Sequence, residues 1–434
     1  MTIETFNQDL LRFLDESPTP FHSTANLVEP LRLVGFQELQ ESAPWTIEPY
    51  GKYFVTRGDS SLIAFSLGAE SVTEAGLQMI GSHTDSPCLK LKPNAAFMAN
   101  GYWQLGVEVY GGALLNPWFD RDLSLAGKVT LRTKTDELIH RLINFEQAIA
   151  IIPSLAIHLD REANKQRSIN NQTYLPAIIC IDDGAFNLEQ EIVRRATVQY
   201  PDIGEVEVVA FELSLYPTDN ASVVGLRGEF IASARLDNLL SCFVSLRALL
   251  DSKGSENCLI VCNDHEEVGS GSAVGARGTF LRSVIERLSG SNEGYALAIA
   301  HSILISTDNA HGVHPNFADS HDKQHGPLLN AGPAVKINSN QAYASTSETA
   351  GIFKQACQAA GVPVQSFVSR ADMACGSTIG PLTATALGVK TVDVGVPTFA
   401  MHSIRELAGT KDADYLFNVL SAFYGSVEIP GAKH

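Results

Sequence analysis

The sequence predicts an α/β protein in which a β-rich segment interrupts a larger α/β domain. After Ile231, short apolar runs that suit buried strands alternate with helical patterns, which is typical of a layered sheet covered by helices. From Pro93 to about Gly228, apolar and polar residues alternate in strand fashion between turn signals. The chain has 434 residues, enough for one to three domains at roughly 150 residues each. The expected domains are a discontinuous one, residues 1–92 and 233–434, and an inserted β-rich one, residues 93–232.

Each element is predicted from its local pattern. The chain begins with a helical pattern from Thr5 to about Leu39, which SPTP interrupts. Two short apolar runs, SSLIAFSL and GLQMIGSH, are expected as buried strands. The insertion has alternating strands in YWQLGVEVY, GKVTLRTK and EVEVVAFELSLY, and a loop in DREANKQRSINNQTYLP. The later elements are a helix, LDNLLSCFVSLRALLDS, and three buried strands, NCLIVCND, ALAIAHSILIST and KTVDVGV.

The charge balance argues against two classes of partner. The chain has 31 Lys and Arg against 48 Asp and Glu, a formal net charge of −17. Nucleic acids and anionic membrane surfaces bind proteins through concentrated Lys and Arg. We therefore expect neither nucleic acid nor a membrane as a partner.

Cysteine use and apolar segments predict the compartment. The seven cysteines include no C-x-x-C pair, which disfavours a thiolate zinc site and fits a reducing compartment. The first residues are acidic, whereas a signal peptide begins with positive charge. The longest apolar stretch, about Tyr295 to Ile305, contains His301 and falls short of the roughly 20 residues that span a bilayer. We expect a soluble, cytoplasmic protein.

Residues of the type that bind metals lie near the ends of several predicted strands. The candidates are His83 and Asp85 in GSHTD, Asp237 at the start of the long helix, Glu266 and Glu267 after LIVCN, Asp308 after ILIST, and His402 after KTVDVGV. Ligands of open α/β sheets bind beyond the carboxyl ends of the strands. We therefore expect these side chains to converge in space.

The residue types suit a pair of metal ions. Two histidines and three carboxylates form a ligand set typical of zinc or another divalent transition metal. Five ligands exceed the three that one catalytic zinc usually takes, but they suit two metals about 3.5–4 Å apart with one bridging carboxylate. Asp85 lies two residues from His83, on the same side of an extended strand, where its carboxylate can hold the second nitrogen of the imidazole.

Each candidate also has a purely structural interpretation. A histidine at a strand end is often only a hydrogen-bonded core residue, and an Asp in the position of Asp237 is often only a helix N-cap. Adjacent glutamates such as Glu266 and Glu267 usually form a solvated surface pair. Here they follow a buried strand, where like charges are unfavourable unless cations neutralise them. Other motifs fail: GSGSAVG does not match the dinucleotide-binding pattern, and the chain has no G-x-S-x-G and no H-E-x-x-H.

Nine short segments, in order through nearly the whole chain, carry a family resemblance. They are SPTPFH (17–22), GSHTDSP (81–87), IPSLAIHL (152–159), SARLDNL (233–239), DHEEVGSGS (264–272), STDNAHGVHPN (306–316), KINSNQAYA (336–344), DMACGSTIGP (372–381) and MHSIRE (401–406). Together they resemble the M18 family of metalloaminopeptidases, of the aspartyl aminopeptidase type. The resemblance implies a three-layer αβα dinuclear zinc peptidase domain, interrupted by a β-rich dimerisation domain, and assembly into tetrahedral dodecamers.

The resemblance also implies the metal ligands. His83 and Asp308 correspond to ligands of one metal, and Glu267 and His402 to ligands of the other. Asp237 corresponds to the bridging carboxylate. The implied cofactors are two Zn²⁺ ions, replaceable by Co²⁺ or Mn²⁺.

Further roles follow from the same motifs. The implied catalytic residues are Glu266 as the general base, Asp85 and His311; the implied substrate-binding residues are His158, Lys336 and Tyr343. His158 corresponds to a residue that completes the active site of a neighbouring subunit, although by itself it has the pattern of an ordinary strand histidine. Lys336 alone would be a surface lysine on the strand AVKI.

The implied reaction removes the N-terminal residue from peptides with a free amino terminus, the EC 3.4.11 type of hydrolysis. A water bridging the metals attacks as hydroxide, and Glu266 takes its proton and protonates the leaving amine. His311 or backbone N–H groups stabilise the oxyanion, and Lys336 favours an Asp or Glu side chain if it points into the pocket. Two alternatives stay open: a dinuclear-metal amidase or deacylase of small N-acyl substrates, and a catalytically silent, self-assembling binding protein.

Overall fold

In the computed structural model, residues 2–182 and 184–426 are described, and the chain divides into two units. The first consists of the described residues of Met1–Asp85, Ala221–Met401 and Glu406–His434; the second consists of those of Ser86–Asn220 and His402–Arg405. Within the predicted insertion, residues 93–220 lie in the second unit and residues 221–232 in the first. The dimerisation role expected for residues 93–232 stays a prediction.

Side-chain caps and prolines fix where several helices begin. The backbone N–H of Thr5 donates to the Thr2 hydroxyl at the start of the first helix, and Pro20 occupies the first turn of the second. The helices are α1 (Ile3–Glu16), α2 (Pro20–Leu33), α3 (Val72–Ala75), α4 (Asn171–Tyr174), α5 (Leu188–Gln199), α6 (Leu236–Asp251), α7 (Phe280–Ser289), α8 (Asn292–Ala300), α9 (Ser347–Ala360), α10 (Ile379–Leu387) and α11 (Asp412–Ser426). Among these helices of residues 2–182 and 184–426, none has both the length and the hydropathy needed to cross a bilayer.

The strands of the described part of the chain build three sheets. They are β1 (Gln37–Glu38), β2 (Lys52–Arg57), β3 (Ser61–Ser66), β4 (Gln78–His83), β5 (Cys88–Ala99), β6 (Tyr102–Tyr110), β7 (Leu123–Thr133), β8 (Leu138–Asn144), β9 (Ala177–Ile181), β10 (Val206–Pro217), β11 (Ser222–Val224), β12 (Phe230–Ser233), β13 (Cys258–Asn263), β14 (Ile303–Thr307), β15 (Ala310–His311), β16 (Ala334–Lys336), β17 (Gln365–Phe367), β18 (Lys390–Gly395), β19 (Pro397–Phe399) and β20 (Glu406–Gly409). Two of the sheets belong to the first unit and one to the second.

A nine-stranded mixed sheet organises the first unit. Its strand order is β1-β2-β3-β13-β4-β14-β18-β16-β17. The central strands β13, β4, β14 and β18 run parallel, with Cys262 opposite Ser82 and Ile305 opposite Ile80. Because parallel strands share one direction, their carboxyl ends lie at one edge of the sheet. A five-stranded sheet, β11-β12-β20-β19-β15, belongs to the same unit.

Helices cover both faces of the nine-stranded sheet. On β13, Ile260 packs into a core that includes side chains of α1, α2, α6, α9 and α11. Leu259 and Val261 point the opposite way, into a core with side chains of α7 and α8. Burial of each such side chain stabilises the fold by about 1.5–3 kcal/mol relative to exposure. The predicted α/β class is therefore confirmed, with helix, sheet and helix layers in the first unit.

The second unit is built on an antiparallel sheet. Its six strands follow the order β8-β7-β10-β5-β6-β9. Val129 and Leu131 of β7 are buried, whereas Lys128, Thr130 and Arg132 beside them are more accessible, as the period of two requires. Helix α5 adds Ile192 and Ala196 to the same core. The β-rich character predicted for this part of the chain is confirmed.

Three element predictions were wrong in part. The loop expected at DREANKQRSINNQTYLP contains the short helix α4 (Asn171–Tyr174). The first helical stretch breaks at SPTP as expected, but α2 ends at Leu33 and β1 follows, so the helix does not reach Leu39. In ALAIAHSILIST, only ILIST forms a strand, and ALAIA belongs to α8. The Ser291 hydroxyl caps α8 by accepting from the Gly294 N–H. A short apolar run alone does not distinguish a strand from a buried helix.

Candidate metal centre

Several candidate metal ligands of the first unit lie at the carboxyl ends of the parallel strands. His83 is the last residue of β4 and lies opposite Asn263, the last residue of β13. Asp308 directly follows β14. Glu266 begins a single 3₁₀ turn, Glu266–Val268, just beyond β13. Three neighbouring strands therefore deliver a histidine and carboxylates to one place, as the strand-end pattern predicts.

His83, Asp237 and Asp308 form a buried cluster. The Nε2 atom of His83 lies 3.5 Å from Asp237 Oδ1 and 4.0 Å from Asp308 Oδ2. One ligand atom from each residue lies within 4.8 Å of the others, and the exposed fractions are only 1%, 3% and 7%. Burial alone lowers the pKa of His83, but hydrogen bonds with the carboxylates of Asp237 and Asp85 hold this pKa well above its usual range.

Asp85 links the histidine to the two glutamates. The Nδ1 of His83 lies 3.0 Å from the Asp85 carbonyl oxygen and 3.3 Å from its Oδ1. The Asp85 carboxylate also accepts from the backbone N–H groups of Glu266 and Glu267, each at 3.1 Å. Asp85 is fully buried. Asp85 can thus keep a proton on Nδ1, so that a cation binding beside Asp237 and Asp308 would displace only the Nε2 proton; Asp85 therefore orients this candidate ligand.

Asp237 lies in an irregular first turn of α6. The capping position of α6 is Arg235, whose backbone is left-handed (φ 61°), and the backbone of Asp237 itself is not helical (φ −84°, ψ 102°). The Asp237 N–H donates to Glu406 Oε2 at 2.9 Å. The next residue, Asn238, donates its side-chain amide to the Thr307 carbonyl at 2.7 Å. These contacts fix the start of α6 with the Asp237 carboxylate beside His83.

Glu266 and Glu267 extend the cluster. One ligand atom each from His83, Glu266 and Glu267 lies within 4.8 Å of the others. Burial, and then the charges of Asp308 and Glu267, raise the pKa of Glu266 to about 8 against the opposing charge of His83. Glu266 and Glu267 are partly buried, so they do not form the solvated surface pair considered from the sequence.

The donor set fits a divalent cation. Several carboxylates and an imidazole nitrogen meet in a region from which water is largely excluded, where unneutralised like charges are strongly unfavourable. A divalent metal removes that repulsion and reverses the direction of the carboxylate pKa shifts. Nitrogen and oxygen ligands of this kind suit zinc.

A second group of candidates adjoins Asp308. Lys336 is not the surface lysine that its sequence alone suggests: its exposed fraction is 3%, and Nζ lies 3.5 Å from Asp308 Oδ1. The same Nζ lies 5.4 Å from the centre of the Tyr343 ring. Burial, and then a hydrogen bond with Cys375, raise the pKa of the Tyr343 phenol, so it stays protonated. His311 is exposed at the end of β15, and its ring packs against Phe367.

His402 and His158 belong to the second unit. The Nδ1 of His402 hydrogen-bonds to the Gly112 carbonyl at 3.1 Å, and its own carbonyl accepts from the Leu114 N–H at 3.0 Å. A proton on Nδ1 again leaves the lone pair on Nε2, the form in which imidazole binds metals. His158 lies in an exposed turn, so the strand expected around it was wrong. Leu155 and Leu159, on either side of His158, are exposed.

Two buried acids near the cluster were missed by the sequence analysis. Glu406 holds the Asp237 N–H, and Asp393 lies within the buried strand β18. A charged residue inside an apolar strand such as KTVDVG is itself a signal, because acids are almost never fully buried without partners. No comparable sequence signal marks Glu406, since its partner lies 169 positions away.

Comparisons with known proteins agree along nearly the whole chain. The family model described as aminopeptidase I zinc metalloprotease (M18) matches residues 13–424. A probable M18 family aminopeptidase 2 of Ectopseudomonas mendocina is 56% identical over 429 residues, which cover 98% of this chain and 100% of that protein. The cryo-EM structure of the Ape4 and Nbr1 complex contains a chain that is 38% identical, with a TM-score of 0.94 and coverage of 97% of this chain and 86% of that one.

A further solved structure, the mApe1 dodecamer of S. cerevisiae, is 28% identical with a TM-score of 0.83 and covers 97% of this chain and 96% of that one. The family match thus spans both units and every candidate residue named above. The predicted family, and with it the hydrolase class, is confirmed. The chain belongs to the M18 family of zinc metalloaminopeptidases.

Proposed function

We propose that this aminopeptidase holds two zinc ions and uses Glu266 as its general base. In this proposal His83 and Asp308 bind one ion, Glu267 and His402 bind the other, and Asp237 is shared; Co²⁺ or Mn²⁺ can substitute. The buried cluster of His83, Asp237 and Asp308, with ligand atoms within 4.8 Å of one another, is the observation that carries it. The orientation of both imidazoles through Nδ1 supports the assignment.

The proposed chemistry divides the work between the metals and the chain. When bound, zinc supplies a water of lowered pKa and polarises the scissile carbonyl. Glu266 accepts a proton from the attacking water and delivers a proton to the leaving amine. The hydrogen bonds from the Glu266 and Glu267 N–H groups to Asp85 hold this turn in place. His311, exposed at the end of β15, is the side chain proposed to stabilise the oxyanion.

The test of this function is a substrate panel with and without a chelator. We expect single residues to be released from peptides with a free amino terminus, and we expect zinc chelation to abolish the release. Peptides acetylated at the amino terminus serve as the matched control and should stay intact. Cleavage of N-acyl amino acids in place of free peptides would instead identify an amidase or deacylase, and chelator-resistant cleavage would contradict the metal mechanism.

We further propose that the enzyme prefers N-terminal Asp or Glu. A buried ammonium attracts a carboxylate far more strongly than a hydrated one does, because the local dielectric is low. Lys336 is such an ammonium, 3.5 Å from Asp308, with the Tyr343 ring below it. Once Asp308 is engaged by a metal, Lys336 is available to pair with an acidic side chain of the substrate.

Replacing Lys336 by methionine tests this preference. Lys336→Met keeps an unbranched side chain that is one atom shorter and removes the charge. We expect the ratio of kcat/KM for Asp anilide to that for Leu anilide to fall about 10- to 100-fold, the effect of one charged hydrogen bond. Lys390→Met is the matched control, since Lys390 lies at the start of β18 and pairs on the surface with Glu348. An unchanged ratio in Lys336→Met would contradict the proposed preference.

We propose that the protein assembles as a homo-oligomer, a dodecamer by analogy with the mApe1 structure. Leu155, Ile157 and Leu159 are exposed by 60%, 47% and 75% around His158, and exposed apolar clusters often mark interfaces. In such an assembly His158 would reach a neighbouring active site. Sedimentation equilibrium measures the assembly directly, and a species of one chain mass, 46.8 kDa, would contradict it.

A further inference from the structure

Asp393 is a fully buried carboxylate in the middle of β18. Its neighbours in the strand, Val392 and Val394, are also fully buried. Taking a carboxylate out of water is strongly unfavourable unless hydrogen bonds compensate for the lost hydration. The contacts of Asp393 therefore show which parts of the chain it holds.

The Asp393 side chain joins two separate segments. Its Oδ2 accepts from the Ala344 N–H, and its Oδ1 accepts from the Thr378 hydroxyl, both at 2.6 Å. The Asp393 N–H donates to the Ser345 hydroxyl at 2.9 Å, and this hydroxyl donates to the Asp393 carbonyl at 3.3 Å. One strand residue thus binds the segment that follows Tyr343 and the turn that starts α10.

The first turn of α10 lies directly on the same carboxylate. A Cβ atom at Gly380 would lie 2.2 Å from Asp393 Oδ1, so this close approach requires glycine. Thr378 is the residue that precedes the helix. Asp393 therefore fixes the position of α10 as well as that of the segment containing Ala344.

Asp393 also lies across from Lys336. Strands β16 and β18 pair antiparallel with Ala334 opposite Gly395 and Val335 opposite Val394. Continuing this register by one residue places Lys336 opposite Asp393, on the same face of the sheet. Asp393 thus lies in the strand that pairs with that of Lys336, and it also binds the segment that follows Tyr343, whose ring lies 5.4 Å from the Lys336 Nζ.

We propose that Asp393 is a positioning residue for substrate specificity, which sets the geometry of Lys336 and Tyr343 by binding Ala344, Ser345 and Thr378. This inference rests on the proposed function, in which Lys336 recognises an acidic side chain. Asp393 itself is held inside the sheet and acts through its neighbours. Loosening its contacts should therefore impair the binding of acidic substrates more than turnover or the binding of neutral ones.

The substitution Asp393→Asn tests the proposal. The amide replaces one acceptor oxygen of the carboxylate with an NH₂ group. Turned towards Ala344, this group meets a second donor; turned towards Thr378, it can only donate to the hydroxyl in an uncharged bond of reversed direction, so one charge-assisted hydrogen bond is lost either way. We expect kcat/KM for Asp anilide to fall about tenfold more than kcat/KM for Leu anilide, the effect of roughly one hydrogen bond. The loss should appear in KM, and kcat should change less.

Two further variants keep the test decisive if Asp393→Asn folds poorly. Thr378→Val removes one hydrogen bond without burying a new polar group, and it should lower the same Asp-to-Leu ratio. Thr378→Ser keeps the hydroxyl and should restore the ratio. If Thr378→Ser lowers the Asp-to-Leu ratio as much as Thr378→Val does, the size of residue 378 matters and its hydrogen bond to Asp393 does not. That result would overturn the inference.

Asp412→Asn is the matched control. Asp412 is also fully buried and accepts from backbone N–H groups, those of Asn330 and Gly332. Its replacement should lower the melting temperature without changing the Asp-to-Leu ratio. If both Asp393→Asn and Asp412→Asn lower only the melting temperature, Asp393 is structural and the inference is wrong.

Lys336→Met separates this inference from the proposed function. If Lys336→Met lowers the ratio but Asp393→Asn and Thr378→Val do not, the acidic preference stands and the role of Asp393 fails. If Lys336→Met leaves the ratio unchanged, the proposed preference itself fails. In the Lys336→Met background, Asp393→Asn should no longer alter the ratio, because the positioned charge is absent; a further tenfold loss there would overturn the inference.

Discussion

Replacing Glu266 by glutamine should abolish most turnover while zinc stays bound. General acid–base catalysis contributes about 10²–10⁴-fold to the rate, and the amide neither accepts the proton of the attacking water nor returns one. Burial and then the nearby carboxylates raise the pKa of Glu266 to about 8, and a bound divalent cation would lower this pKa again. Glu266 would then be an ionised carboxylate beside the proposed ligands, with ligand atoms of His83 and Glu267 within 4.8 Å, where it can accept a proton and return it. The backbone contact of residue 266 with Asp85 does not depend on the side chain, so the turn should keep its shape.

The adjacent glutamate provides a matched control for this experiment. Glu267→Gln makes the same chemical change one residue away, at a position proposed to bind metal. We expect Glu266→Gln to keep its zinc content and lose kcat, and we expect Glu267→Gln to lose zinc affinity. Elemental analysis and steady-state kinetics on both variants make the comparison. Near wild-type kcat in Glu266→Gln would remove Glu266 from the mechanism.

The strand-end pattern made much of the cluster predictable. His83, Asp308 and Glu266 follow three apolar runs whose strands proved parallel and adjacent, and the carboxyl ends of such strands share one edge. The prediction needed only the order of the elements and the direction of the strands. It needed no knowledge of how individual side chains pack.

Features that depend on side-chain packing were not predictable in this way. Lys336 has the local pattern of a surface lysine, yet its environment is set by Asp308 and Tyr343, which are distant in sequence. Likewise, Glu406 meets Asp237 only because β20 pairs with β12, the strand that precedes α6. The helix at ALAIA was mistaken for a strand because helix and strand periodicity cannot be separated in so short an apolar run.

Glu406 and Asp393 nevertheless show one shared principle. Each is a buried acid that accepts from the backbone of a candidate site residue or of the residue next to it: Glu406 accepts from the Asp237 N–H, and Asp393 accepts from the N–H of Ala344, which follows Tyr343. Buried carboxylates of this kind hold the backbone, and the backbone then directs the side chain that does the chemistry. A search for acidic residues within predicted buried strands would have found Asp393 from the sequence.

Removing the carboxylate of Asp237 should remove zinc as well as activity. Asp237 is the carboxylate proposed to be shared by both ions, and its Oδ1 lies 3.5 Å from His83 Nε2. Loss of an outer-shell partner alone weakens metal binding about 10- to 100-fold, so we expect Asp237→Ala, which loses a direct ligand, to weaken it further. The zinc content after dialysis should fall below that of the wild type, and hydrolysis of peptides should become undetectable.

A readout independent of activity comes from the effect of zinc on stability. A ligand that binds only the folded state stabilises it by an amount that grows with the ratio of its concentration to Kd. Zinc should therefore raise the melting temperature of the chelated wild type and leave that of Asp237→Ala nearly unchanged. Asp251→Ala is the control, because Asp251 is an exposed acid at the far end of the same helix, α6. Equal zinc content and an equal thermal shift in Asp237→Ala and Asp251→Ala would exclude Asp237 from the ligands.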